Sequence, residues 1–161
     1  VELRQRRVGA VTVVRIAALD IGDTRTGVAL ADARGRIATP FAVFETRELI
    51  SSGTKLRQFI DDYEIEHFVV GLPLSLSGEE GSQARHVRAL AAKIFKACNY
   101  SADDDACLEE ERVTFYDERL SSVAAKQALA EHELSEREMR GKVDKIAAAL
   151  FLQSYLDAHN A

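Results

Sequence analysis

The strongest constraint on the fold is a change of hydrophobic period along the chain. From about residue 13 to residue 44, short apolar runs (near 13–20, 25–31 and 36–44) are joined by turns containing Asp23-Thr24 and Ala33-Arg34-Gly35. Three such runs in succession predict an antiparallel meander. Pro40 fits an edge or a bulge of the third strand. The period then becomes helical: Leu56, Phe59, Ile60 and Tyr63 share one face of a helix. Phe68 to Leu72 is a compact apolar block closed by Pro73, which suits a buried parallel strand. Val87, Leu90, Ala91, Ile94, Phe95 and Cys98 mark a second amphipathic helix. Val113 to Tyr116 reads as a further strand. A helix capped by Ser121 or Ser122 is expected to run to about Ala130. Ser135 to Glu138 has capping-box spacing for a short turn. Val143, Ile146, Ala147, Leu150 and Phe151 predict a final helix reaching about Leu156.

An antiparallel meander followed by alternating strand and helix implies an α/β mixed sheet. Three antiparallel strands are followed by parallel ones, with helices packed on both faces. That is the layout of a ribonuclease H-like domain with five strands. The chain has 161 residues, and no repeat or linker divides it, so a single domain over 1–161 is expected. Residues 1–12 read as a flexible arm or the run-in to the first strand, and 99–111 as an exposed acidic insert.

Composition narrows the function classes. No apolar run approaches the roughly 20 residues of a membrane span. The basic start V-E-L-R-Q-R-R is followed by no secretory apolar region. A cytoplasmic protein is therefore expected, with Cys98 and Cys107 as free thiols. The net charge of −5 argues against coating nucleic acid through bulk positive charge. Arginines crowd the first third of the chain, however, so a local basic face is compatible with that total.

Chemistry is concentrated where predicted elements end. The stretch R-I-A-A-L-D-I-G-D-T-R-T-G-V-A-L (Arg15 to Leu30) reads as a buried strand that carries Asp20 to its end, a glycine-bracketed turn and a second strand. Asp117-Glu118 follows a later strand, and Asp144 opens the last helical pattern. Acids from separated elements can surround hard divalent cations, which take oxygen ligands and leave positions for water or phosphate. Each acid also has an ordinary structural account. Asp20 would be a turn residue, Glu118 a surface ion-pair partner, and Asp144 a helix-dipole contact worth under about 1 kcal/mol. Alternation sends Asp117 and Glu118 to opposite sides, so one of them would reach a shared site. Arg25 and Arg119 lie beside candidate acids, where a guanidinium can bind phosphate or form a structural salt bridge. Ser82, Gln83, Arg85 and Arg88 open a helix, a place that favours an anion. The four histidines show no ligand or triad spacing.

Four motifs carry a resemblance. D-I-G-D-T-R-T-G-V-A (Asp20 to Ala29), V-V-G-L-P (Val69 to Pro73), D-E-R-L-S-S (Asp117 to Ser122) and G-K-V-D-K-I-A-A-A (Gly141 to Ala149) resemble the YqgF/RuvX family. Its members are Holliday junction resolvase-like proteins, also described as pre-16S ribosomal RNA nucleases. The resemblance spans about Arg15 to His159. It implies a ribonuclease H-like fold, a cytoplasmic bacterial protein, and one or two Mg²⁺ or Mn²⁺ ions. The acidic site maps onto Asp20, Glu118 (with Asp117 the alternative) and Asp144. Arg25 and Arg119 match the basic members that would hold substrate. Thr26 stands where the family usually has an aliphatic residue, and the acidic 99–111 segment is longer than usual.

The expected activity is metal-dependent phosphodiester hydrolysis by an endonuclease, with the 5′ end of precursor 16S ribosomal RNA as favoured substrate. Cleavage of four-way DNA is a second enzymatic reading, and a noncatalytic RNA-binding role in ribosome assembly comes from another class. D-x-G also resembles the phosphate loop of actin- and hexokinase-like ATPases, but 161 residues leave no room for their second lobe. The expected partner is nucleic acid, with no membrane, and the chain acts as a monomer or homodimer.

Overall fold

The computed structural model describes residues 6–8, 11–100, 112–117 and 136–160. β1 (Arg6–Val8) and β2 (Val11–Val13) pair antiparallel as a ribbon of their own. β3 (Ile16–Ile21), β4 (Arg25–Ala31) and β5 (Ala38–Glu45) form the expected antiparallel meander. α1 (Thr46–Ser51) and α2 (Thr54–Tyr63) then return the chain to β6 (His67–Leu72), which pairs parallel to β3. α3 (Ser82–Ala97) makes the next crossover, to β7 (Val113–Asp117), which is parallel to β6. α4 (Glu136–His159) is the last helix. The five-stranded order is β5-β4-β3-β6-β7. Parallel pairing needs such helical crossovers, and these cover the sheet faces.

Alternation along the strands divides the core in two. Ala17, Leu19 and Ile21 of β3 and Phe68, Val70 and Leu72 of β6 pack with Leu49, Leu56, Phe59, Ile94 and Phe95 from α1, α2 and α3. On the other face Ala18, Ala29, Ala31 and Val69 meet Ala148, Phe151 and Leu152 of α4. Every residue of β6 is buried because both faces are covered, and this is why Phe68 to Leu72 is a continuous apolar block. The α4 face is built from small residues on the sheet and on the helix, so helix and sheet approach closely. Because β3, β6 and β7 run parallel, their carboxyl ends share one edge of the sheet.

Several elements differ from expectation for physical reasons. α1 has only six residues, too few to display a helical period. Of the expected turn at 135–138, Ser135 lies outside the described residues, and residues 136–138 form one continuous element of 24 residues with the final helix. The segment E-R-E-M-R before Gly141 consists of strong helix formers, and a single glycine costs only about 1 kcal/mol. Tyr100, assigned from sequence to the acidic insert, is 2% exposed; its hydroxyl donates to the carbonyl of Glu66 at 2.9 Å. Burial pushes that hydroxyl up to about 12. Pro40 sits on edge strand β5 where the register slips opposite Val28/Ala29, so it is both at an edge and at a bulge. Glu118, Arg119, Cys107, the expected helix from Ser121 or Ser122, and residues 101–111 lie outside the described residues. Among those described, no helix is long and apolar enough to cross a membrane.

Candidate active site

Asp20 is the penultimate residue of β3, at the carboxyl edge of the sheet. Alternation places it with Ala18 on the α4 face. Its antiparallel partner on β4 is Gly27. A Cβ built on Gly27 would stand 2.2 Å from both the carbonyl carbon and the carbonyl oxygen of Asp144, and 2.6 Å from the nitrogen of Lys145. The α4 backbone therefore rests directly on Gly27, as only a residue without a side chain permits. One glycine thus brings Asp20 and Asp144 to the same patch: it is cross-strand from the first and in contact with the main chain of the second.

Arg25 lies two residues before Gly27, on the same face of β4. Its Nε donates to Asp144 Oδ2 at 3.1 Å, with the two side chains 39% and 26% exposed. The salt bridge expected between Arg25 and a carboxylate beside it in sequence is made instead with an acid 119 residues away. Burial pushes the Asp144 carboxyl above its ordinary range, and the guanidinium offsets only part of that. The helix-dipole account of Asp144 does not hold, because α4 begins at Glu136 and dipole effects fade within the first turn.

The turn between Asp20 and Arg25 is tied down from the opposite face. The Gly22 amide donates to the Arg25 carbonyl at 2.9 Å, and the Thr46 amide at the start of α1 donates to the Thr24 carbonyl at 3.0 Å. The Thr46 hydroxyl donates to the Gly22 carbonyl at 2.7 Å and lies 2.8 Å from the hydroxyl of fully buried Thr26. Thr46 has one hydroxyl proton, so Thr26 is the donor of that pair. This explains a threonine where an aliphatic residue is usual: its hydroxyl has a partner. Thr46→Val should cost about 1–3 kcal/mol in a denaturant titration, since it strips partners from a buried hydroxyl and from the Gly22 carbonyl.

Asp23, at the tip of this turn, pairs with His86 Nε2 on α3. Both side chains are largely exposed. His86 escapes sequence analysis because a lone histidine 63 residues from its partner carries no spacing signal.

The other candidates separate. Phe115 packs on the α1–α3 side and Tyr116 on the α4 side, so alternation puts Asp117 on the face opposite Asp20 and Asp144. At the start of α3 the expected anion site is already supplied with an anion. Glu80 holds the Arg88 guanidinium, which also lies 4.2 Å over the Phe115 ring, and Arg85 donates to the Glu80 carbonyl at 3.3 Å. The bond from Arg88 holds the Glu80 carboxyl below its usual range. Among the described residues no three His, Cys, Asp or Glu side chains gather as a metal-binding group. Asp20 and Asp144 supply two carboxylates of the kind hard cations take. Asp144 already accepts a positive group, so the patch fits a cation in charge and in donor chemistry.

A family model described as RuvX: Holliday junction resolvase matches residues 14–158. The chain belongs to this family. A protein of Thermosynechococcus vestitus named "Putative pre-16S rRNA nuclease" is 38% identical over 147 residues, covering 91% of this chain and 90% of that protein. A relative of the same name from an Anaeromyxobacter species is 37% identical, covering 92% of this chain and 100% of its own length. Among solved structures, a Fowlpox virus resolvase in complex with Holliday junction DNA superposes with a TM-score of 0.50 at 13% identity. That match covers 92% of this chain and 100% of the viral one. At such identity the likeness is one of fold, and that fold is ribonuclease H-like.

Proposed function

We propose that this RuvX-family chain is a divalent-metal-dependent endonuclease of the cytoplasm that hydrolyses phosphodiester bonds at the 5′ end of precursor 16S ribosomal RNA. The observation that carries the proposal is the seating of Asp144 on Gly27, beside Asp20. Asp20, Glu118 and Asp144 would hold one or two Mg²⁺ or Mn²⁺ ions. Glu118 is preferred to Asp117 because alternation along β7 directs Asp117 to the other face. A metal held by these carboxylates would supply Lewis-acid activation of the attacking water and of the phosphate. Arg25 and Arg119 would take the phosphate oxygens, for which the planar guanidinium fork is suited. The RNA substrate is favoured by the relatives' names.

Cleavage of a labelled precursor ribosomal RNA end, beside a four-way DNA junction, tests this with wild type and Asp20→Asn in Mn²⁺ or Mg²⁺. RNA cleavage that disappears in the variant is the expected result. Junction cleavage alone would move the assignment to a resolvase, the activity in the family's description. Metal-independent RNA binding without cleavage of either substrate would overturn the enzymatic reading.

A further inference from the structure

The Arg25–Asp144 pair joins the residue assigned to substrate with a residue assigned to metal. We infer that the pair is a switch: Asp144 holds Arg25 while no metal is bound, and a divalent cation that takes Asp144 releases Arg25 to the phosphate. This rests on Asp144 being a metal ligand, as proposed above.

Four features support it. The contact uses Nε, so the Nε–Nη2 edge of the guanidinium is committed to Asp144 and only the Nη1–Nη2 edge is left for a two-point phosphate contact. A divalent cation and a guanidinium at one carboxylate repel each other, so each disfavours the other. The backbones of both residues are fixed, Arg25 in the β4 ladder opposite Glu45 and Asp144 on Gly27, so the change needs only a new rotamer of one long side chain. The pair is also weak enough to exchange. At 39% and 26% exposure it belongs with ion pairs of about 1 kcal/mol or less. By linkage, a metal that frees Arg25 raises affinity for nucleic acid, and nucleic acid raises affinity for metal to the same extent.

Mn²⁺ affinity of the free protein, read from the electron paramagnetic resonance of unbound Mn²⁺, is the first measurement. Asp144→Asn should weaken it, and Arg25→Gln should tighten it by about two- to fivefold, the range of a partly exposed pair. Arg25→Lys, which keeps the charge but lacks the Nε donor, should fall between Arg25→Gln and wild type. Unchanged Mn²⁺ affinity in Asp144→Asn would overturn the metal-site reading itself. Weakened binding in Asp144→Asn with no tightening in Arg25→Gln would overturn the switch while leaving the metal site standing.

The second measurement is fluorescence anisotropy of the labelled precursor RNA end in EDTA. Asp144→Asn should bind RNA more tightly than wild type because Arg25 is released. That gain should be lost when the same change is made in the Arg25→Gln protein. A gain of equal size without Arg25 would reflect charge removal alone and would also overturn the switch. Thermal melts of all five proteins exclude loss of folding as the cause.

Discussion

Alanine at position 27 is expected to cost about 3 kcal/mol of stability and most of the nuclease activity. The added methyl would sit 2.2 Å from two backbone atoms of Asp144. Backbone cannot rotate aside as a side-chain tip can, so α4 must lift or β4 must bend. Either movement strains the small-residue interface of Ala18, Ala29 and Ala31 with Ala148, because close-packed interiors transmit a displacement rather than absorb it. Denaturant titration reads the stability loss. Cleavage assayed well below the melting transition reads the second effect, the separation of Asp144 from Asp20. Wild-type stability in Gly27→Ala would mean that α4 does not rest on this glycine.

Which features are legible in the sequence follows from how each is encoded. Strands β3, β4 and β6 are visible because the covering of their faces writes itself into consecutive residues: β6 is apolar from Phe68 to Leu72, being buried on both sides. Pro40 announces an edge because it lacks an amide donor for a second neighbour. Asp20 stands out as a charge ending an apolar run. What the sequence conceals is encoded between distant residues. Gly27 reads as turn punctuation, yet its main task is to receive the backbone of a helix from the far end of the chain. Arg25 pairs with Asp144 across 119 residues, and Asp23 with His86 across 63, and neither spacing leaves a local pattern. The Thr46 anchor of the hairpin is hidden for a related reason, since it belongs to a helix too short to show a period. Asp144 was visible as a motif residue, but its place in the helix was not. Nothing in the apolar pattern reveals that α4 begins well before it, at Glu136.

If Asp144 holds metal as proposed, Asp144→Asn should reduce cleavage by about 10²- to 10⁴-fold, the size of a lost metal contribution of several kcal/mol. At neutral pH it should not lower the melting temperature. Burial pushes the Asp144 carboxyl above its ordinary value of 3.8, even with Arg25 opposing. A carboxyl whose pKa is higher in the folded than in the unfolded state binds its proton more tightly when folded, so its ionisation costs stability. That cost is fully present above the raised folded value. It is relieved as pH falls through that value and gone below 3.8, where both states are protonated. The Asp144→Asn protein carries no such cost, so it should melt at or slightly above wild type at neutral pH. The difference should shrink on acidification through the carboxylate range. Melting curves across that range, compared pairwise, check both the sign and the trend. A neutral-pH melting temperature below wild type would show that the bond from Arg25 outweighs burial, making Asp144 a stabilising residue. The expected order has a functional meaning: a half-buried carboxylate, only partly compensated by a weak and exchangeable partner, gains most from a cation that brings two charges.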